Sequence, residues 1–184
     1  MKFYDMNLLG LVLIKPSIFE DERGFFMETY QKNKFFAELD DRGFYVPDFV
    51  QDNHAYSIKG VVRGLHFQKV YPQGKLVRCI KGSIIDVVVD IRPDSNTFGE
   101  HVTVELSADN KHQLWVPRGF AHGYEVISEE AEVTYKCDDR WYPEYDSGII
   151  WNDKSLNIKW KNENPIVSEK DKNLLTFKEM INEF

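Results

Sequence analysis

The 184-residue sequence has few cysteines, no long apolar run and no excess of positive charge. Its two cysteines lie in strand-like runs, which favours buried free thiols over a disulfide or a nucleophile. The apolar stretch LLGLVLI is too short to span a bilayer and lacks the flanks of a signal peptide. A net charge of −7 disfavours nonspecific binding to nucleic acid or membrane surfaces. We therefore expect a soluble cytoplasmic protein with no nucleic-acid or membrane partner.

Apolar and aromatic side chains are plentiful, at 42% and 14% of the residues, and they predict a folded domain over residues 1–184. No repeat, linker or low-complexity tract interrupts it. About ten short strand-like segments follow one another, separated by turn signals such as PQG at 72–74 and RPDSNTFG at 92–99. No helices alternate with these segments, so the pattern predicts an all-β sandwich or barrel.

Two helices are predicted at the periphery. Residues 31–40 place apolar side chains on one side, and Gly43 follows as a terminator. Residues 169–183 follow Ser168, which fits an N-cap with acidic residues in the first turn.

The stretch GVVRGLHFQ at residues 60–68 places two polar side chains in an apolar strand. Alternate residues of a strand share a face, so His66 is predicted to point with Gly64, and Arg63 to point the opposite way. A buried charge is costly unless it has a partner, so Arg63 requires either a structural ion pair or an anionic ligand. Alternation alone leaves that choice open.

Four short stretches concentrate polar groups among the apolar strands. RGLHFQ, PQGKLVR, LWVPRGFAHGY and AEVTYK contribute His66, Lys75, His122 and Tyr135. Each residue alone is typical of an ordinary core or surface position. Burying all four in the interior of one β-sheet protein would lower its stability unless they had a function. The set therefore indicates a binding or catalytic pocket.

The stretch PRGFAH resembles the second motif of the cupin superfamily, a small β-barrel fold. Metal-binding cupins also carry a His-x-His pair in their first motif, whereas this chain reads HFQ, with Gln68 in the second place. Two histidines without a third ligand make a poor divalent site, so we predict that no metal is bound.

The chain as a whole resembles the nucleotide-sugar 3,5-epimerases, the family of dTDP-4-dehydrorhamnose 3,5-epimerases. Eight blocks in the same order carry the resemblance: DERGFFMETY, FVQDN, GVVRGLHFQ, PQGKLVRCIKG, DVVVDIRP, VELSADNKHQLWVPRGFAHG, YPEYDSGIIWND and SEKD. The resemblance implies a cupin-type β-barrel or jelly roll with short peripheral helices. It also implies a cofactor-free isomerase and a homodimer that exchanges N-terminal strands.

The family's chemistry assigns a role to each polar group. Its substrates are 4-keto sugars linked to a nucleotide diphosphate, and protons are removed beside the ketone and returned from the opposite face. By resemblance His66 is the base and Asp171 the acid that orients it. Lys75 matches the group at the enolate oxygen, and Tyr135 matches the proton donor.

The binding positions follow from the same resemblance. By resemblance, six residues lie at positions that the family uses to bind the nucleotide diphosphate or the sugar: Arg23, Glu28, Gln51, Asn53, Arg63 and His122. Ala55 stands where the family usually has a serine, and Arg140 and Trp141 stand where many members have a tyrosine pair. Trp141 is the aromatic expected to stack on the nucleotide base.

The sequence supports three hypotheses about the function. The first is inversion of carbons 3 and/or 5 of a dTDP-linked 4-keto-6-deoxy sugar through an enolate. The second is action on a GDP-linked 4-keto heptose or another 4-keto sugar, at one carbon only in some family members. The third is a noncatalytic sugar-binding cupin, which predicts loss of the base, lysine or tyrosine; all three residues are present.

Overall fold

Two antiparallel β-sheets packed face to face form the centre of the molecule in the computed structural model, which describes residues 1–182. Within that range the strands are β1 (Lys2–Asp5), β2 (Val12–Lys15), β3 (Ile18–Asp21), β4 (Gly24–Met27), β5 (Gln51–Ile58), β6 (Val62–Gln68), β7 (Lys75–Lys81), β8 (Ser83–Asp90), β9 (His101–Ser107), β10 (Gln113–Val116), β11 (Phe120–Val126), β12 (Glu130–Cys137) and β13 (Asp146–Gly148). The larger sheet has the order β1-β2-β10-β7-β12-β5, and the smaller has the order β13-β6-β11-β8-β9. β3 and β4 form a separate hairpin. The predicted all-β class is confirmed.

Three strands were not expected from the sequence. β1 and β3 are almost entirely exposed, so they lack the apolar alternation that identifies a half-buried strand. β13 has only three residues and is fixed by its pairing with β6. The other strands match the predicted segments.

The first predicted helix is confirmed as α1 (Lys32–Asp40), which begins after Gln31. The Gln31 side chain accepts a hydrogen bond from the Lys34 amide at 2.6 Å and so caps the helix. Gly43 adopts a φ of 67°, which few other residues tolerate, just after the helix ends.

The second predicted helix, over residues 169–183, is wrong as a continuous element. The structure has α2 (Glu169–Lys172) and α3 (Phe177–Ile181) instead, and residue 183 lies outside the described residues. Between them the Leu175 carbonyl accepts a hydrogen bond from the Ile150 amide at 2.7 Å, so this segment pairs with the end of the small sheet. Thr176 then starts α3 with a capping box. Ser168 is the N-cap of α2, as predicted.

The core has three layers because both sheets are covered on their outer faces. Between the sheets lies a cluster that includes Val77, Val88 and Leu114. The outer face of the small sheet packs against C-terminal residues such as Met180. The outer face of the large sheet is covered by α1, whose Phe35 ring meets Trp115 edge to face at 5.7 Å. Among the described residues, no helix has the length and apolarity needed to cross a membrane.

Candidate active site

A cavity opens between the two sheets where β6, β7, β11 and β12 lie close together. Its inner part measures about 190 Å³ and its outer part about 350 Å³, and His66, Lys75 and Tyr135 border both. His66 projects from the small sheet, whereas Lys75 and Tyr135 project from the large one. A molecule bound here therefore lies between polar groups from two different sheets.

His66 and Asp171 form a hydrogen-bonded pair, although 105 positions separate them in the chain. The distance between His66 Nε2 and Asp171 Oδ1 is 2.7 Å, and the Gly64 amide donates to Asp171 Oδ2 at 3.1 Å. Burial opposes ionisation of Asp171, but these contacts outweigh it and hold the pKa of the carboxyl below its usual value. An ionised carboxylate thus orients the imidazole through Nε2, and Nδ1 has no hydrogen-bond partner among the described residues.

Arg63 and His66 line the same cavity, so the predicted opposite orientation of these two side chains is wrong. On β11, His122 pairs with His66, and Tyr124 pairs with Arg63. The two β6 residues are three positions apart in the chain, whereas their β11 partners are two positions apart, so β6 has one extra residue here. A bulge of this kind inserts one residue and reverses the alternation beyond it. Two side chains predicted on opposite faces therefore reach one site.

The Arg63 guanidinium has no carboxylate partner among the described residues. Its Nε donates to Ser57 Oγ at 2.9 Å, and Nη2 donates to the Tyr56 carbonyl at 3.2 Å. These neutral acceptors fix the side chain without neutralising its charge. The Arg63 side chain is exposed, so the burial assumed from the sequence is wrong, and its guanidinium is left available to an anionic ligand.

Lys75 and Tyr135 offer polar groups that no described residue engages. Neither the Lys75 ammonium nor the Tyr135 hydroxyl has a hydrogen-bond partner within residues 1–182, although both side chains are only partly exposed. Burial lowers the pKa of Lys75 and raises the pKa of the Tyr135 phenol. The cavity thus holds an amine without a partner among the described residues and a phenol that keeps its proton at neutral pH.

His122 forms a second histidine–aspartate pair on the inner wall. Its Nε2 lies 2.9 Å from each carboxylate oxygen of Asp86, which is fully buried. Asp86 was not singled out from the sequence, where it opens the apolar run DVVVD and looks like a strand residue. The pair fixes the His122 ring where it borders the cavity.

The outer part of the cavity collects the remaining predicted binding residues that the structure brings together. Gln51, Asn53 and Trp141 line it, and Gln51 donates to Asn53 at 3.1 Å. The sequence did not single out Gln73, Asp146 and Lys170, which also line it, with Lys170 ion-paired to Asp146. All three lie in or beside the matching blocks, but no local pattern distinguishes them from solvated surface residues.

Arg23 and Glu28 lie apart from the cavity in this single chain. Arg23 is on the β3–β4 hairpin, where its Nη2 contacts Asp21 at 2.5 Å. Glu28 forms an ion pair with Lys34 at 2.8 Å. The structure of one chain therefore does not assemble these two predicted residues with His66.

Within the part of the chain that the structure describes, no three His, Cys, Asp or Glu side chains are grouped to hold a metal ion. Gln68 borders the outer cavity but is buried, and its amide is bonded to main-chain groups.

Comparison with known proteins finds relatives of this chain in sequence and in structure. The family model described as dTDP-4-dehydrorhamnose 3,5-epimerase matches residues 5–179. The chain is 52% identical over 174 residues to the dTDP-4-dehydrorhamnose 3,5-epimerase of Shigella flexneri, with 94% of each chain covered.

Solved structures agree with the sequence match. A dTDP-6-deoxy-D-glucose-3,5-epimerase from Legionella pneumophila, in complex with dTDP-4-keto-L-rhamnose, superposes with a TM-score of 0.93 at 42% identity, covering 99% of this chain and 95% of that one. The Bacillus anthracis dTDP-4-dehydrorhamnose 3,5-epimerase with TDP and PPi bound gives 0.89 at 44% identity, covering 96% and 99%. The cupin-type fold expected from the sequence is thereby confirmed.

Proposed function

This chain belongs to the family of dTDP-4-dehydrorhamnose 3,5-epimerases, and from that premise we propose a role for each polar group of the cavity. It is an isomerase that epimerises a dTDP-linked 4-keto-6-deoxy sugar. The observation that carries the assignment is the placement of the His66–Asp171 pair and Tyr135 on opposite sheets, across one cavity. Proton removal on one face of a sugar and return on the other require that arrangement.

His66 removes the proton from the carbon beside the ketone, with Nδ1 as the accepting atom. Asp171 stabilises the imidazolium that forms, because its carboxylate is held ionised 2.7 Å from Nε2. The electron pair of the broken C–H bond moves to the ketone oxygen, and the Lys75 ammonium stabilises the resulting enolate.

Tyr135 then gives its hydroxyl proton to the same carbon from the other side, which inverts the configuration. The raised pKa of its phenol keeps the proton available at neutral pH. Solvent afterwards takes the proton from His66 and returns one to Tyr135, so the enzyme is restored. Arg63 binds the diphosphate, Trp141 stacks on the base, and Gln51, Asn53 and His122 hold the remaining polar groups.

Incubation with dTDP- and GDP-linked 4-keto sugars in heavy water tests this function. We expect deuterium at carbons 3 and 5 of the dTDP-linked sugar and inverted product, both observed by NMR. Exchange at one carbon only would restrict the reaction to a single centre. Turnover of the GDP-linked sugar alone would overturn the nucleotide assignment.

We further propose that the enzyme is a homodimer in which the β3–β4 hairpin of one protomer reaches the cavity of its partner. The hairpin leaves Phe19, Phe25 and Phe26 exposed by 65%, 54% and 70%, a large apolar area for a protein surface. Exchange would bring Arg23 and Glu28 to a cavity that lacks them in the single chain. The cytoplasmic location remains a prediction of the sequence.

Mixing two inactive variants tests the exchange. Each variant, Arg23→Ala or His66→Asn, inactivates both sites of its own homodimer. A mixed dimer contains one site in which both residues are intact. Random reassociation should restore ~25% of the normal activity, because half the dimers are mixed and each has one intact site of two. Mixtures that stay as inactive as their components would show that each site is built from one chain.

A further inference from the structure

The loop that carries Trp141 is held by side chains rather than by main-chain pairing. Residues 139–142 join β12 to a short 3₁₀ helix (Pro143–Tyr145) and border the outer cavity. Within residues 1–182, each of the four residues of this loop has one main-chain group bonded to a glutamine side chain. The position of Trp141 therefore depends on those amides.

Gln68 makes the most contacts of the three glutamines. Its Nε2 donates to the Tyr71 carbonyl at 2.7 Å and to the Arg140 carbonyl at 3.2 Å, and its Oε1 accepts from the Tyr142 amide at 2.6 Å. One buried amide thus joins the end of β6 to the loop before β7 and the loop after β12. Only an amide can donate twice and accept once at this place.

Gln51 and Gln73 complete the set from two other segments. Gln51 Oε1 accepts from the Trp141 amide at 3.0 Å, and Gln73 Nε2 donates to the Asp139 carbonyl at 2.8 Å. Trp141 itself is 54% exposed and has little packing to hold its ring. Its backbone is fixed while its indole stays free to meet a ligand.

We propose that Gln51, Gln68 and Gln73 form a glutamine clasp that positions Trp141 for stacking on the nucleotide base, with Gln68 as its principal positioning residue. This rests on the proposed function, which places the nucleotide beside Trp141. An ordered ring binds more tightly than a mobile one, because less conformational freedom is lost on binding. The clasp acts on nucleotide affinity and leaves proton transfer at His66 and Tyr135 unaffected.

The test compares Gln68→Met, Trp141→Ala and the double variant. Gln68→Met should raise the Kd for dTDP and the KM for the dTDP-linked sugar about tenfold, with kcat within about twofold, since stacking on one aromatic ring is an effect of this size. Trp141→Ala should raise both constants at least as much. The double variant should bind dTDP no more weakly than Trp141→Ala alone, because the clasp then has no ring to position.

A matched control is Asn110→Leu, which also removes one amide that makes three main-chain hydrogen bonds. Asn110 accepts from the Ser107 and His112 amides and donates to the Glu105 carbonyl, in the turn between β9 and β10. It should lower stability without changing the Kd for dTDP. If Gln68→Met does not fold, Gln73→Met removes a single bond and should show a smaller effect with the same non-additivity.

Fully additive losses of dTDP affinity, or a fall in kcat at unchanged KM, would overturn the clasp while leaving the epimerase assignment intact. Failure of the unaltered enzyme to bind dTDP at all would overturn both.

Discussion

His66 and Asp171 contribute unequally to proton removal. His66 exchanges the proton itself, whereas Asp171 orients the ring and stabilises its charge, so His66→Asn should lower kcat more than Asp171→Asn does. A general base contributes ~10²–10⁴-fold, which sets the expected loss for the histidine. Steady-state rates on the dTDP-linked sugar, with circular dichroism to verify folding, measure both. A folded His66→Asn enzyme with near-normal kcat would remove His66 from the mechanism.

Tyr135→Phe separates the two faces of the reaction. The phenyl ring keeps most of the packing, and the enolate should still form because His66 and Lys75 remain. Return of a proton from the far face should slow, so solvent deuterium should enter the sugar with retained configuration faster than the epimer appears. NMR of the recovered sugar over time measures both rates. Equal slowing of exchange and inversion would instead assign Tyr135 to binding or polarising the ketone.

Lys75 should set an alkaline limit to activity. Burial lowers its pKa, so its ammonium loses its proton at a lower pH than the ~10.4 of a free lysine. The charge that stabilises the enolate is present below that lowered pKa and is lost as pH rises through it. In Lys75→Arg the charge persists, so the alkaline fall in kcat should move to higher pH whatever the absolute rate. An alkaline fall at the same pH in both enzymes would assign it to another group.

At the scale of elements, the bulge between β6 and β11 decides which side chains enter the site. Gly123 lies within it, and a Cβ there would come within 2.4 Å of the Arg63 carbonyl. We expect Gly123→Ala to push β6 away, lowering the melting temperature and kcat together. Thr103→Ala, on the exposed face of β9, serves as the control and should change neither. A Gly123→Ala enzyme as stable and active as the unaltered one would show that the bulge tolerates displacement.

Local patterns predicted the elements whose residues determine them locally. The alternating strands and the capped α1 are of this kind. The break between α2 and α3 depends on a bond from Ile150 to Leu175, and the bulge depends on the pairing of two distant strands, so neither has a signal within its own segment. Asp171 had the local pattern of a first-turn acid, and only the family resemblance connected it with His66.

At the scale of the whole molecule, we predict that activity needs no metal. Proton transfer is assigned entirely to side chains, and the amide of Gln68 occupies the place where metal-binding cupins carry a second histidine. Exhaustive chelation followed by an assay in metal-free buffer should leave kcat and KM unchanged. Loss of activity that one divalent cation specifically restores would contradict the assignment.

The division of the cavity between two sheets has a stereochemical consequence. Packed sheets lie about 10 Å apart, and that spacing is maintained by the core between them. Val77, Tyr124 and Val133 belong both to that core and to the cavity wall. The thickness of the sandwich therefore sets the gap between base and acid. The fidelity of inversion therefore depends on hydrophobic packing, and so on residues that never exchange a proton.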